Sequence, residues 1–116
     1  MIIRQGDIFL IKVPEKRIPT NYQAHPTTSC IVGYGEVTGH HHVIEKAQWL
    51  VDACHDINSL HRFALDGTSP NDVFVQVTDP TQIVHDEHYP LAIPPGTYQV
   101  VRQREYTPRG VRRVRD

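Results

Sequence analysis

Apolar and polar residues alternate with a period of two along much of this chain, which is the spacing of strands that bury one face. On this basis we predict strands at 7–13, 30–37, 40–45, 49–51, 60–65, 73–77, 81–85 and 98–106. A short helix over 45–51 is the alternative to the strand at 49–51. The stretch 15–28, which contains Pro19 and Pro26, predicts a long loop.

Turns separate these strands. Residues 66–72 (Asp-Gly-Thr-Ser-Pro-Asn-Asp) and 93–96 (Ile-Pro-Pro-Gly) have the composition of sharp turns. About seven or eight short strands divided by turns favour an all-β fold, either a small barrel or a jelly-roll-like domain. We expect a single β domain over 1–107 and a basic C-terminal tail over 108–116.

Length and composition limit the classes of protein that the chain can belong to. Its 116 residues are enough for one domain, and 39% of them are hydrophobic. The first residues lack the apolar run of a secretory signal, and no segment approaches membrane-spanning length. The two cysteines, Cys30 and Cys54, are too few for a disulfide framework. We therefore expect a cytoplasmic protein with free, buried thiols and no membrane partner.

Basic residues are concentrated at the C-terminus. Six of the twelve Lys and Arg residues lie in the last fifteen positions. One hypothesis is that the chain contacts a nucleic-acid backbone there, and its candidate residues are Arg109, Arg112, Arg113 and Arg115. We favour the alternative of a solvated final strand and tail, because no aromatic platform is interleaved with the arginines.

Histidine is the residue type that points most directly to chemistry. Five of the eight histidines lie in Gly39-His40-His41-His42 and His85-Asp86-Glu87-His88. Residues i and i+2 of a strand face the same way, so His40 and His42 share a face that His41 does not. Imidazole is the commonest protein metal ligand. We predict that His40, His42, His85 and His88 bind one divalent metal together.

The second pair can join the first only if the chain bends, because residues i and i+3 do not share a face of a regular strand. Tyr89-Pro90 places a strand end there, since the residue before proline is held extended. Three residues are candidates for orienting the ligands or lining the same cavity: Asp86, Gln103 and Arg104. Surface histidines without a metal are the alternative.

The type of ligand limits which metal ions we expect, but it does not determine the role of the ion. Nitrogen donors without thiolate favour zinc, with nickel, iron and copper as alternatives. The ion is either structural or regulatory, or it serves a metal-dependent hydrolase or oxygenase of a small substrate. In the catalytic case Glu87 or Glu105 is the expected acid or base. An edge strand near 98–106 would also let two copies pair as a homo-oligomer.

Two resemblances follow from these motifs. Gly35, the His40-x-His42 pair and Glu45 resemble in part the first cupin motif, which implies a cupin-like barrel with a metal. Pro94-Pro95-Gly96 resembles the cupin proline-glycine turn, and His85 and His88 would replace the histidine that cupins carry after it.

The second resemblance covers nearly the whole chain and is to a family of small uncharacterised proteins from bacteria and their phages. It implies that the recurring segments belong to one unit, and it implies no activity. The segments are Gln5-Gly6-Asp7, Gly35-Glu36-Val37-Thr38-Gly39-His40 with His42, His85-Asp86-Glu87-His88-Tyr89-Pro90, Pro95-Gly96-Thr97-Tyr98 and Gln103-Arg104-Glu105-Tyr106.

Overall fold

The computed structural model describes residues 1–25, 27, 29–34, 40–52, 57–69, 71–107 and 110–113, with the backbone alone at 57–59, 104–107 and 110–113. Within these ranges the chain forms twelve strands, one α-helix and one 3-10 turn at Glu15–Arg17. The elements are β1 (Ile2–Gln5), β2 (Ile8–Val13), β3 (Tyr22–Ala24), β4 (Cys30–Tyr34), β5 (His41–Ile44), β6 (Gln48–Asp52), α1 (Ile57–Asp66), β7 (Val73–Val77), β8 (Thr81–His85), β9 (His88–Ile93), β10 (Gly96–Arg102), β11 (Arg104–Thr107) and β12 (Gly110–Arg113).

Two antiparallel sheets build the domain. The larger has the strand order β1-β2-β10-β7-β6-β3, and the smaller has the order β4-β5-β8-β9, while β11 and β12 pair with each other. Buried side chains from both sheets and from α1 form a single hydrophobic cluster. The prediction of a mostly β single domain is therefore confirmed. Among the described residues neither sheet closes into a barrel, because β1, β3, β4 and β9 are edge strands.

The prediction of a strand at 60–65 is wrong, because this segment lies in helix α1. Leu60, Phe63 and Ala64 are buried, whereas His61 and Arg62 are exposed. This is the i, i+3, i+4 spacing of a helix with one buried face. The helix ends at Gly67, which has φ 80° and donates its N–H to the Phe63 carbonyl at 2.7 Å, as a helix C-cap glycine does.

Several strand boundaries also differ from the prediction. The alternative of a helix over 45–51 is wrong, because β6 occupies Gln48–Asp52. Strand β3 lies inside the predicted loop 15–28, and β1 and β9 were not predicted. The predicted strand 98–106 divides at Gln103 into β10 and β11.

The edge position expected near 98–106 is wrong for its first half. Strand β10 lies between β2 and β7 and is hydrogen-bonded on both sides. In the segment predicted as a basic tail, Gly110–Arg113 forms β12 and pairs with β11. The predicted strand 30–37 is β4 up to Tyr34, and residues 35–37 lie outside the described residues.

Two smaller expectations concern membranes and thiols. Among the described residues, the structure contains no helix with the length and apolar character needed to span a membrane. Cys30 is a free, fully buried cysteine, as predicted, and burial raises the pKa of its thiol to about 12. Cys54 lies outside the described residues.

A buried ion pair joins elements that are distant in sequence. Asp7 lies in the two-residue turn between β1 and β2, where Gly6 supplies the positive φ of 58° that such a turn needs at its first position. The Arg102 guanidinium, at the end of β10, donates to Asp7 Oδ2 at 3.1 Å from Nε and at 2.7 Å from Nη2. Both side chains are at most 1% exposed.

The same guanidinium reaches helix α1. Arg102 Nη1 donates to the Ala64 carbonyl and contacts the Phe63 carbonyl at 3.5 Å, so a cation satisfies carbonyls at the helix C-terminus. Gly33 makes room for this side chain, since a Cβ there would lie 3.2 Å from Arg102 Cζ and 2.8 Å from Ile8 Cδ1. The ion pair thus connects the β1–β2 turn, β10, β4 and α1.

Replacing Arg102 by methionine should lower the free energy of unfolding by about 3–5 kcal/mol, because the Asp7 carboxylate stays buried without its cation. Urea unfolding of the metal-free protein measures this loss. The matched control is Arg17→Met, whose ion pair with Asp72 has side chains 50% and 53% exposed, and whose loss should cost below about 1 kcal/mol. Equal costs for the two variants would contradict the central role of the buried pair.

Candidate metal centre

Strands β5, β8 and β9 carry the predicted histidines. His42 lies in β5, while His85 ends β8 and His88 begins β9. His85 and His88 face each other in register across the two-residue turn Asp86–Glu87, so the expected bend is a tight hairpin. No strand ends at Tyr89-Pro90, which lies inside β9, but the register of β9 against β8 is irregular there, between the pairs Ile83–Leu91 and His85–His88.

Three of the predicted ligands lie together and define the inner cluster: His42, His85 and His88. Their ring centroids are 4.3 Å apart for His42 and His85, 4.7 Å for His85 and His88, and 5.6 Å for His42 and His88. One nitrogen of each ring lies within 4.8 Å of the others. His42 is 0% and His85 6% exposed. Among the described residues, the buried Nε2 of His88 has no hydrogen-bond partner.

Gln5, from β1 of the other sheet, fixes the ring of His42. Its amide nitrogen donates to the carbonyls of Ile83 at 3.2 Å and Tyr89 at 2.9 Å. Because both amide protons are used there, the remaining Oε1 must accept, and it lies 2.9 Å from His42 Nδ1. His42 therefore carries a proton on Nδ1, and its neutral form presents an Nε2 lone pair, as metal-binding histidines do.

Asp7 places a negative charge close to Nε2 of the same ring. Its Oδ1 lies 3.7 Å from His42 Nε2, and both side chains are 0% exposed. The other carboxylate oxygen, Oδ2, is held by Arg102. A carboxylate this close to Nε2 attracts a metal ion bound at that nitrogen.

The ring of His85 is oriented differently. Its Nδ1 accepts the backbone N–H of Glu87 at 3.0 Å, so neutral His85 carries its proton on Nε2. Binding a metal through Nε2 requires this proton to move to Nδ1 or to leave the ring. Asp86 Oδ1 lies 3.5 Å from Nδ1 and is the carboxylate that could accept a hydrogen bond from it.

His40 lies apart from the inner cluster and belongs to a second group, the rim cluster of His40, His85 and Asp86. His40 Nδ1 lies 2.8 Å from Asp86 Oδ1 and 3.3 Å from Glu87 Oε1. The hydrogen bond to Asp86 raises the pKa of His40, and the same bond lowers the pKa of Asp86. The four histidines predicted as one ligand set are thus divided between two clusters that share His85.

The remaining predicted residues lie elsewhere. His41 packs edge-on against Tyr34, with ring centroids 4.6 Å apart, and Tyr34 in turn contacts His61 of α1. Gln103 Oε1 accepts from Arg4 at 2.9 Å. Only the backbone is described for Arg104, Glu105, Arg112 and Arg113, and Arg109 and Arg115 lie outside the described residues. The acid or base role expected of Glu87 or Glu105 and the nucleic-acid hypothesis stay predictions.

Gln5, Asp7 and Arg102 contact or support the centre without having been predicted to do so. Glutamine and arginine carry no metal signal, and Asp7, although a carboxylate, is distant from the histidines in sequence. One pattern did include two of them, the segment Gln5-Gly6-Asp7 that recurs with the histidine motifs.

The region of the chain that matches a known family includes the whole candidate metal centre. A family model matches residues 4–103, which is most of the chain. The chain belongs to Domain of unknown function (DUF8820). The expected membership of an uncharacterised family is thereby confirmed. No curated protein and no solved structure matches the chain. The DUF8820 match includes every residue of the inner and rim clusters and ends before β11.

Substituting Asp86 by asparagine should lower the pKa of His40, because the carboxylate hydrogen bond that raises it is removed. The stability from a raised histidine pKa is present at low pH and lost as pH rises through that pKa, and for a lowered Asp pKa the direction is opposite. The pair therefore stabilises metal-free DUF8820 between the lowered pKa of Asp86 and the raised pKa of His40. NMR titration of the His40 ring in both proteins measures the shift, and unchanged titration would contradict it.

Proposed function

We propose that this DUF8820 protein binds a divalent transition metal, zinc in the first place, at the inner cluster. One observation supports the proposal: imidazoles from β5, β8 and β9 bring one nitrogen each within 4.8 Å of one another, with His42 and His85 buried and His88 partly buried. Neutral histidines without thiolates suit zinc, with nickel, iron and copper as alternatives.

The geometry requires a modest contraction on binding. Nitrogens at about 2.0–2.1 Å from a tetrahedral ion lie about 3.4 Å from one another, so the rings must approach by up to about an ångström and a half. His42 supports the proposal because Gln5 already directs its Nε2 lone pair away from the amide. The Asp7 carboxylate, 3.7 Å from that nitrogen, favours the cation electrostatically.

We infer that the main effect of the ion is to stabilise the folded state. It would tie β5 to the β8–β9 hairpin within the smaller sheet, and Gln5 would connect the bound His42 to the larger sheet. Because the histidines bind metal only when the fold brings them together, binding stabilises the folded state by mass action. Three protein donors leave a coordination position for water or a small substrate, which a hydrolase or oxygenase would use.

His88→Ala should abolish the part of the stabilisation by zinc that comes from the inner cluster. In the wild-type protein, free zinc at about one hundred times the dissociation constant adds about 2.7 kcal/mol, and the variant should gain none from the inner cluster. Thermal melts of chelator-treated protein with and without zinc measure the effect, together with elemental analysis of the dialysed protein. His61→Ala, on the exposed face of α1, is the matched control and should behave as wild type.

Two results would contradict the proposal. One is wild-type protein that holds no metal and gains no stability from zinc or nickel. The other is a His88→Ala variant that gains as much as the His61→Ala control, since His88 offers a buried nitrogen to the inner cluster.

Gln5→Leu should weaken zinc binding about 10–100-fold while leaving the stoichiometry unchanged, because the variant keeps every ligand and loses the group that fixes His42. Titration calorimetry of the metal-free protein measures the dissociation constant. Gln103→Leu is the matched control, since the Gln103 amide oxygen contacts Arg4 instead. Equal affinities in the two variants would show that Gln5 does not orient His42.

A further inference from the structure

We propose that the rim cluster is a second divalent-cation site, formed by His40, Asp86 and Nδ1 of His85, so that His85 bridges two ions. The proposal rests on the proposed function for the inner ion and adds a second metal of the same chemical class. The hairpin turn Asp86–Glu87 would then hold the outer ion at the protein surface.

The distances between donor atoms fit one ion. Asp86 Oδ1 lies 2.8 Å from His40 Nδ1 and 3.5 Å from His85 Nδ1, and one donor from each of the three residues lies within 4.8 Å of the others. Ligands at about 2.0–2.2 Å from a zinc ion are separated by about 3.0–3.5 Å, depending on the geometry. Two of the three donor pairs therefore already lie near the spacing that one ion requires.

The lone pairs of the donor atoms also support a cation at the rim cluster. Because His85 Nδ1 accepts the Glu87 N–H, that nitrogen presents a lone pair to the turn and carries no proton in the neutral ring. The Asp86 oxygen 3.5 Å away also presents lone pairs. A cation bound in place of the Glu87 N–H would be attracted by both acceptors. When the ion takes the lone pair, the Glu87 amide can turn to water, since Glu87 is exposed.

Charge and exposure suit an ion that exchanges with solvent. The side chains of Asp86 and Glu87 are 54% and 56% exposed, and both carboxylates approach His40. Two negative charges beside neutral imidazoles balance a divalent cation. The mixed nitrogen and oxygen donors suit zinc, manganese or iron. We expect the rim ion to bind more weakly than the inner ion, because water competes at an exposed site.

The proton balance of His85 follows from the geometry. With Nε2 on the inner ion and Nδ1 on the rim ion, the His85 ring gives up its remaining proton to solvent and becomes an imidazolate. His40 likewise moves the Nδ1 proton that bonds Asp86 to its own Nε2, so that Nδ1 can bind the rim ion. The two cations on either side stabilise that negative charge. Both sites therefore depend on His85, whereas His88 serves only the inner ion and His40 only the rim ion.

Zinc titration of the chelator-treated full chain tests the proposal, with calorimetry for stoichiometry and elemental analysis after dialysis against free zinc. We expect two equivalents in the wild-type protein and one in each of Asp86→Asn, His40→Ala and His88→Ala. His85→Ala should bind none. Asp79→Asn, another exposed acidic residue, is the matched control and should keep two equivalents.

The other outcomes overturn the proposal in distinguishable ways. A single equivalent in the wild type that His88→Ala loses and Asp86→Asn keeps would remove the rim site and leave the proposed function intact. A single equivalent that Asp86→Asn loses and His88→Ala keeps would remove the inner ion, and with it the bridge. Zinc retained by His85→Ala would overturn the sharing, and no zinc in the wild type would overturn both sites.

Discussion

The ion pair between Asp7 and Arg102 is the contact on which the rest of the structure depends. One carboxylate oxygen accepts from Arg102, and the other faces His42. The guanidinium in turn satisfies carbonyls at the end of α1. Desolvating two charges is expensive, and hydrophobic residues could fill the same volume. The pair instead fixes the helix, β10 and the histidine site relative to one another, so the candidate metal centre is built on the core of the domain.

The β1–β2 hairpin supplies two buried polar groups that reach His42. Gln5 ends β1 and Asp7 lies in the following turn, and each is at most 3% exposed. Gln5 bonds to backbone carbonyls of β8 and β9 and so connects the two sheets. The inner cluster is therefore supported from the larger sheet although its ligands all lie in the smaller one. Loss of this hairpin would disorder the site without touching a ligand.

Local pattern predicted the strands that alternate cleanly, such as β7 and β8, and it paired the correct histidine motifs. It missed α1 because the apolar positions at 60–65 form too short a run for periodicity to separate a strand from a helix, although Leu60, Phe63 and Ala64 have helical spacing. It predicted a bend between His85 and His88 but not a two-residue hairpin, because Asp86-Glu87 lacks the glycine or asparagine that marks such turns in a sequence. The division of the histidines into two clusters depends on how strands pair across the sheet, which spacing along the chain does not determine.

The length of the Asp86–Glu87 turn has a consequence for how this centre can change. Because no described residue of the turn needs a positive φ, almost any pair of amino acids could occupy it, and its composition is free to serve chemistry. The number of residues in the turn is constrained far more strictly than their identity. One residue more or less would break the pairing of His85 with His88 and turn the His88 side chain toward the other face of the sheet. Substitutions in this turn can alter the site gradually, whereas an insertion would remove a ligand in a single step.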